Sequence, residues 1–111
     1  MNTLRNQVQL IGNLGKDPEI LTFDSSKRMA KFSLATNESY VNKEGERIDK
    51  TQWHNVVFFG KSVDIVEKYL QKGKEVAIAG KLTYRDYEDK EGNKRYVTEI
   101  VGNEILLLGN K

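Results

Sequence analysis

The residues of this sequence best suited to chemistry are aromatic rings interleaved with cations, and the densest such segment is Thr51–Lys61. In an extended strand, Trp53, Asn55, Val57 and Phe59 share one face, while His54, Val56 and Phe58 share the other. If Val56 and Phe58 fill a core, Trp53 and Phe59 stand outside it, an arrangement that an isolated soluble domain avoids. Rings displayed in this way can stack on unpaired nucleobases, with each stack contributing about 1–3 kcal/mol and accepting any base, because every base has a π-face. The alternative is that the strand is covered on both faces, by a helix or by a second subunit. The pattern alone leaves both readings open.

Tyr87 extends the first reading. It has the parity of Ala77, Ala79, Lys81, Thr83 and Arg85, opposite to the apolar set Val76, Ile78 and Leu82, so it is predicted to point outward beside Arg85. A ring and a guanidinium side by side suit a base and its phosphate. The competing role for Tyr87 is to cover its own hairpin. Tyr40 has the parity of Phe32 and Leu34, which points it inward unless the strand bulges or has already left the core. Lys31, Lys43, Lys61, Lys72, Lys74, Lys81 and Arg85 are distributed among these rings, as a backbone-tracking surface requires, although each taken singly suits a solvated charge equally well. Periodicity assigns no role to Tyr84 or Tyr96.

Other chemistries find little support. There is no cysteine and a single histidine, His54, so a zinc site or thiol catalysis has no ligands to use. His54 has no nucleophile motif to serve and reads as a core or subunit-contact residue. The carboxylates of Glu44, Glu46, Glu88, Asp89 and Glu91 fall in turns, where solubility accounts for them. No phosphate-binding glycine loop is present. A binding protein without catalytic residues, metal or cofactor is therefore expected.

The elements that must position these residues are mostly strands. The chain has 111 residues, enough for one domain spanning 1–111, with 38% hydrophobic residues, a net charge of +2 and no apolar run long enough for a membrane span. A nearly neutral total gives no hint of a nucleic-acid partner, so only local placement of charge can carry one. Val8 and Leu10 begin a strand that Gly12 and Gly15 bend, and Asp17-Pro18 turns it. A second strand is predicted over about 28–40 with Ala30, Phe32 and Leu34 inward, then a hairpin loop at 42–46 and a third strand over about 51–59. A short helix follows, with Ser62 as N-cap, Val63, Val66 and Leu70 on one stripe, and Gly73 as its stop. Strands from Glu75 and from Arg95 flank a turn at 89–93. The order β, β, β, α, β, β predicts an all-β domain with one short helix, a five-stranded Greek-key barrel of the OB-fold type. The N-terminal residues carry no secretory pattern, so a cytoplasmic location is expected.

At these residues the chain closely resembles the bacterial single-stranded DNA-binding protein family. The likeness runs through Val8-Gln9-Leu10-Ile11-Gly12-Asn13-Leu14-Gly15-Lys16-Asp17-Pro18-Glu19, Ala35-Thr36-Asn37-Glu38-Ser39-Tyr40 and Thr51–Lys61. It continues in Tyr69-Leu70-Gln71-Lys72-Gly73 and Val76–Leu82, and so covers nearly the whole chain. The resemblance implies an OB-fold homotetramer that wraps single-stranded DNA over its outer surface in replication, recombination and repair, associated with the nucleoid. It places Trp53 and Phe59 at stacking positions, and Tyr40 and Tyr87 where the family often has tryptophan. Lys43, Lys61, Lys72 and Arg85 fall where relatives place phosphate-contacting cations. Gln7 and Asp86 stand where a basic residue is frequent, which implies a thinner phosphate track. The family's flexible tail with its acidic tip, the usual route to replication and repair enzymes, has no counterpart in the Leu108-Gly109-Asn110-Lys111 ending.

Overall fold

A computed structural model describes residues 5–24 and 27–108. The N-terminal segment read as non-secretory and the ending read as tailless lie, apart from Arg5 and Leu108, outside the described residues. Six strands and one helix follow one another as β1 (Val8–Leu14), β2 (Glu19–Asp24), β3 (Lys27–Val41), β4 (Arg47–Phe59), α1 (Ser62–Tyr69), β5 (Glu75–Glu88) and β6 (Lys94–Leu107). Five of the strands run β1-β5-β6-β4-β3, and a β1–β3 pairing closes them into a barrel. The sixth, β2, pairs antiparallel with β3 alone and forms a flange outside the barrel. The five-stranded barrel is as expected, whereas β2 occupies a stretch between the Asp17-Pro18 turn and residue 28 to which the sequence pattern assigns no element. Its residues give no clean alternation because a strand with one neighbour, reaching the core only through Ile20, has little of a face to keep apolar.

Closure depends on β1 changing partners. Its residues Val8–Asn13 pair with β5, and Asn13 and Leu14 pair with β3 at Ala35 and Leu34. A Cβ added at Gly12 would lie 2.1 Å from the Ala35 carbonyl oxygen, so only glycine lets the two backbones approach this closely. The expected bend at this position is therefore a barrel seam.

Inward residues obey period two. Ala30, Phe32 and Leu34 of β3, Val56 and Phe58 of β4, Val76 and Ile78 of β5 and Ile100 of β6 are all buried, and Phe32 stacks on Phe58 with centroids 6.1 Å apart. The helix plugs this core with Val63, Val66 and Leu70, as its stripe predicts. Its start differs from the expected one. Lys61, in a helical conformation, is the N-cap, and no side chain caps the helix. Gly60 takes a positive φ of 74° and reverses the chain, so that the Gly60 and Lys61 carbonyls accept from the Val63 and Asp64 N–H groups. Ser62 is therefore already inside the first turn. The far end leaves the helix at Leu70, three residues before Gly73, which turns with a φ of 89°. Arg28 of β3 ties the helix down through ion pairs to Asp64 and Glu67.

Two pairs of strands outrun the barrel. The β3–β4 register continues without interruption to Val41↔Arg47, and that of β5–β6 to Glu88↔Lys94, giving two long hairpin arms. Between them β4 and β6 pair in parallel at Val56↔Ile100 and Val57↔Val101.

Candidate nucleic-acid interface

The outer face of β4 carries Trp53, 61% exposed, and Phe59, 52% exposed. Val57 shares their parity but is buried. It sits at the point where β4 has neighbours on both sides, Lys31 of β3 and Val101 of β6, and a small side chain there is covered where a large ring protrudes. Trp53 has a defined seat. A Cβ on Gly15 would fall 2.4 Å from the indole Cζ3, so the ring lies against bare backbone at the β1–β2 turn. Ala35, directly across from Trp53 in register, is buried beside it. One side of the indole is thereby fixed, while most of the residue stays open.

The β5–β6 arm brings its own groups to this row. Arg85 and Tyr87 line one depression with Lys31, Asn55, Val97 and Glu99. Asn55 and Val97 also line the neighbouring depression that contains Trp53 and Tyr96. The outward strand positions therefore form a continuous track from Trp53, across Asn55 and Val97, to Tyr87. Strand alternation predicted the exposure of all three rings, Trp53, Phe59 and Tyr87. Phe59 lies further along β4, six residues or roughly 20 Å from Trp53 at the rise of an extended strand.

Tyr40 is placed differently. It pairs with Ile48 on the parity of the core residues, with no bulge to rotate it, and is exposed because the arm has passed beyond the barrel. It therefore lies on the opposite face of the β3–β4 ribbon from Trp53. His54 also faces away from Trp53, half-buried, with its Nε2 3.0 Å from the Thr36 hydroxyl.

The four candidate cations are dispersed. Lys43 lies in the turn at the tip of the β3–β4 arm, and Lys61 follows Phe59 by two residues at the start of α1. Lys72 lies in the turn after the helix, held by its own N–H, which donates to Asp17 Oδ1 at 2.8 Å. Asp17 in turn borders a depression with Lys16, Lys31 and Asn55. Arg85 is engaged: its Nη2 is 2.9 Å from Glu99 Oε2 and its Nε donates to Glu99 Oε1 at 3.4 Å. Those hydrogen bonds, followed by the Coulomb attraction of the same carboxylate, raise the Arg85 pKa further above its already high value. The guanidinium is permanently charged, but its charge is matched locally, and a phosphate must compete with Glu99 for it.

Glu99, Tyr96 and the seating role of Gly15 escape sequence reasoning. Glu99 has the parity of Val97, which pairs with Arg85, so a diagonal cross-strand partner for Arg85 was the available signal.

Comparison with known proteins bears on the fold and the family. Residues 5–108 match the Single-strand binding protein family. Single-stranded DNA-binding protein 1 of Xylella fastidiosa is 45% identical over 107 residues, spanning 96% of this chain and 79% of that protein. A protein of the same description from Chlorobaculum tepidum is 43% identical, with 96% of this chain and 66% of the relative covered. Among solved structures, a Plasmodium falciparum SSB complex with ssDNA superposes with a TM-score of 0.88 at 33% identity, over 98% of this chain and 100% of the other. A closed five-stranded barrel with one helix, an outward aromatic row and a family match across nearly all its length together make this chain a member of the single-strand binding protein family.

Proposed function

We propose that the chain binds single-stranded DNA without regard to sequence, as a non-catalytic coat on unwound DNA in replication, recombination and repair. The observation that carries this reading is the outward track from Trp53 through Asn55 and Val97 to Tyr87, on a family member whose relatives are single-stranded DNA-binding proteins. Bases stack on Trp53 and Tyr87 along the track and on Phe59 beyond it, with Tyr40 serving the far side of the β3–β4 arm. Stacking of this kind excludes duplex DNA, whose bases have no free face. Lys43, Lys61 and Lys72 neutralise phosphates, and Arg85 does so where it can leave Glu99.

Assembly as a homotetramer in the cytoplasm belongs to the same reading. It is supported by an apolar row on a different outer face, Ile11 of β1, Ala77 of β5 and Leu106 of β6, directly in register, with Ile11 and Leu106 more than half exposed. Apolar groups set side by side in this way favour a protein contact.

The test is titration of the single tryptophan's fluorescence with oligo-dT and with matched duplex at two salt concentrations. Quenching by the single strand alone, weaker at high salt, is expected, and Trp53→Ala should weaken binding by roughly 1–3 kcal/mol. Absence of quenching by either DNA, with Trp53 already shielded from external quenchers, would make the aromatic face a protein contact instead.

A further inference from the structure

The flange strand β2 carries an exposed ring that the outward row on β4 does not account for. Phe23 is 63% exposed, more than Trp53 or Phe59. On the outer face, Leu21 of β2, Met29 of β3 and Phe59 of β4 are in register, and Phe23 follows Leu21 on that face, where the β2–β3 register shifts between Thr22 and Asp24. Phe23 and Phe59 line the same depression, together with Lys27, Arg28 and Gly60. A planar group entering it meets both rings.

Packing within the chain does not explain Phe23. The core cluster includes Ile20 as a partly buried neighbour but not Phe23, and among the described residues β2 has no strand on its other side. An exposed phenylalanine on such an edge offers no fold stability to offset its exposure to water. The cations beside it differ in availability. The Arg28 guanidinium is committed to Asp64 and Glu67, whereas Lys27 opens onto the depression at the strand edge, opposite Asp24 in register.

We infer that Phe23 is a stacking residue that carries the base track past Phe59 and off the barrel onto the β2 flange, with Lys27 as the neighbouring phosphate contact. This rests on the single-stranded DNA reading and deepens it: the occupant is a nucleobase of the same bound strand. The argument is continuity. The ring shares a depression with Phe59, lies on the same face, and has Lys27 beside it.

The experiment compares the full chain with its Phe23→Ala, Phe23→Trp and Trp53→Ala variants in binding oligo-dT long enough to span the outer face, and maps photocrosslinks from 5-iododeoxyuridine oligonucleotides. Phe23→Ala should lose about fivefold or more in affinity, and Phe23→Trp should retain it. Crosslinks in the wild type should map to Phe23. Wild-type affinity in Phe23→Ala, with no crosslink at Phe23, would overturn the inference. So would a weakened Phe23→Ala whose melting temperature has fallen and whose parent shows no crosslink there, since that is a packing residue. Failure of the wild type to bind oligo-dT would instead remove the underlying reading. Binding that is sensitive to Trp53→Ala but indifferent to Phe23→Ala would remove only this extension.

Discussion

The two hairpin arms are built alike and charged differently. Each ends in a five-residue turn in which one side-chain oxygen accepts from the backbone N–H groups two and four residues on: Asn42 Oδ1 from Glu44 and Glu46, and Asp89 Oδ1 from Glu91 and Asn93. Each turn places a glycine at positive φ, Gly45 and Gly92. On the β5–β6 arm, however, Arg85, Lys94 and Arg95 are paired with Glu99, Asp86 and Asp89. On the β3–β4 arm only Arg47 is paired, with Asp49, while Lys43 and Lys50 have no ion pair among the described residues. Both arms therefore carry rings, Tyr87 on one and Trp53 and Tyr40 on the other, whereas the cations beside Tyr87 are held in ion pairs and Lys43 and Lys50 of the β3–β4 arm, among the described residues, are not. The track needs rings and cations alike, because stacking is indifferent to salt while phosphate neutralisation is not.

The largest expected effect is at the root of the β3–β4 arm, where Trp53 leans on Gly15. Gly15→Val puts atoms where the indole now lies and should displace the ring without straining the backbone, since Gly15 is not among the residues at positive φ. Binding of oligo-dT should weaken by about one stack, roughly 1–3 kcal/mol. The emission of Trp53 in DNA-free protein should change as well. No glycine seats Tyr87, so the arms differ in how firmly each ring is held. A Gly15→Val protein with unaltered emission and affinity would erase that difference.

Parity makes much of this surface legible in the sequence alone. Val56 and Phe58 inside, with Trp53 and Phe59 outside, follow from alternation along one strand, and Arg85 and Tyr87 follow from the same rule on β5. What the rule misses has physical causes. Alternation says little about β2, because this flange reaches the core only through Ile20, so Phe23 goes unnoticed. It places Val57 outward, yet neighbours on both sides bury it. It also says nothing of ion pairing between strands, so Arg85 reads as a free cation until its fork onto Glu99 is seen. Ser62 reads as the helix cap because its type suits the role, but the turn at Gly60 starts the helix one residue earlier. Tyr40 is placed at the surface by resemblance and not by alternation, and it stands across the ribbon from Trp53 because the arm has run beyond the barrel.

The charge difference between the arms gives the next effect in size. Lys43→Ala should lower the slope of log affinity against log salt by about 0.7, the loss of one phosphate contact to a single strand. Arg85→Ala should change that slope little, because Glu99 already balances the guanidinium. Glu99→Gln releases Arg85 to the phosphates, so it should steepen the slope by a similar amount and tighten binding at low salt. Equal slope losses for Lys43→Ala and Arg85→Ala would show that the ion pair opens freely to DNA, and the contrast between the arms would then lie in the rings alone.

The smallest effect separates the two turns by pH. The Asp89 pKa is held below its ordinary value of 3.8, first by the backbone N–H of Asn93 and then by Arg95, both of which favour the carboxylate. A carboxylate with a lowered pKa in the folded arm adds stability that is fully present above its ordinary value and is lost as pH falls through the lowered one. The 89–93 turn should therefore loosen in acid, while the 42–46 turn, built on neutral Asn42, should not loosen for this reason. Amide exchange at Asn93 and Glu91, compared with Glu46 and Glu44 as pH is lowered through and below 4, reads this directly. Asp89→Asn should keep the turn and abolish the difference, because the amide oxygen accepts the same two N–H groups without titrating. If acid loosens both turns equally in the wild type, the loss belongs to the arms as a whole and not to Asp89.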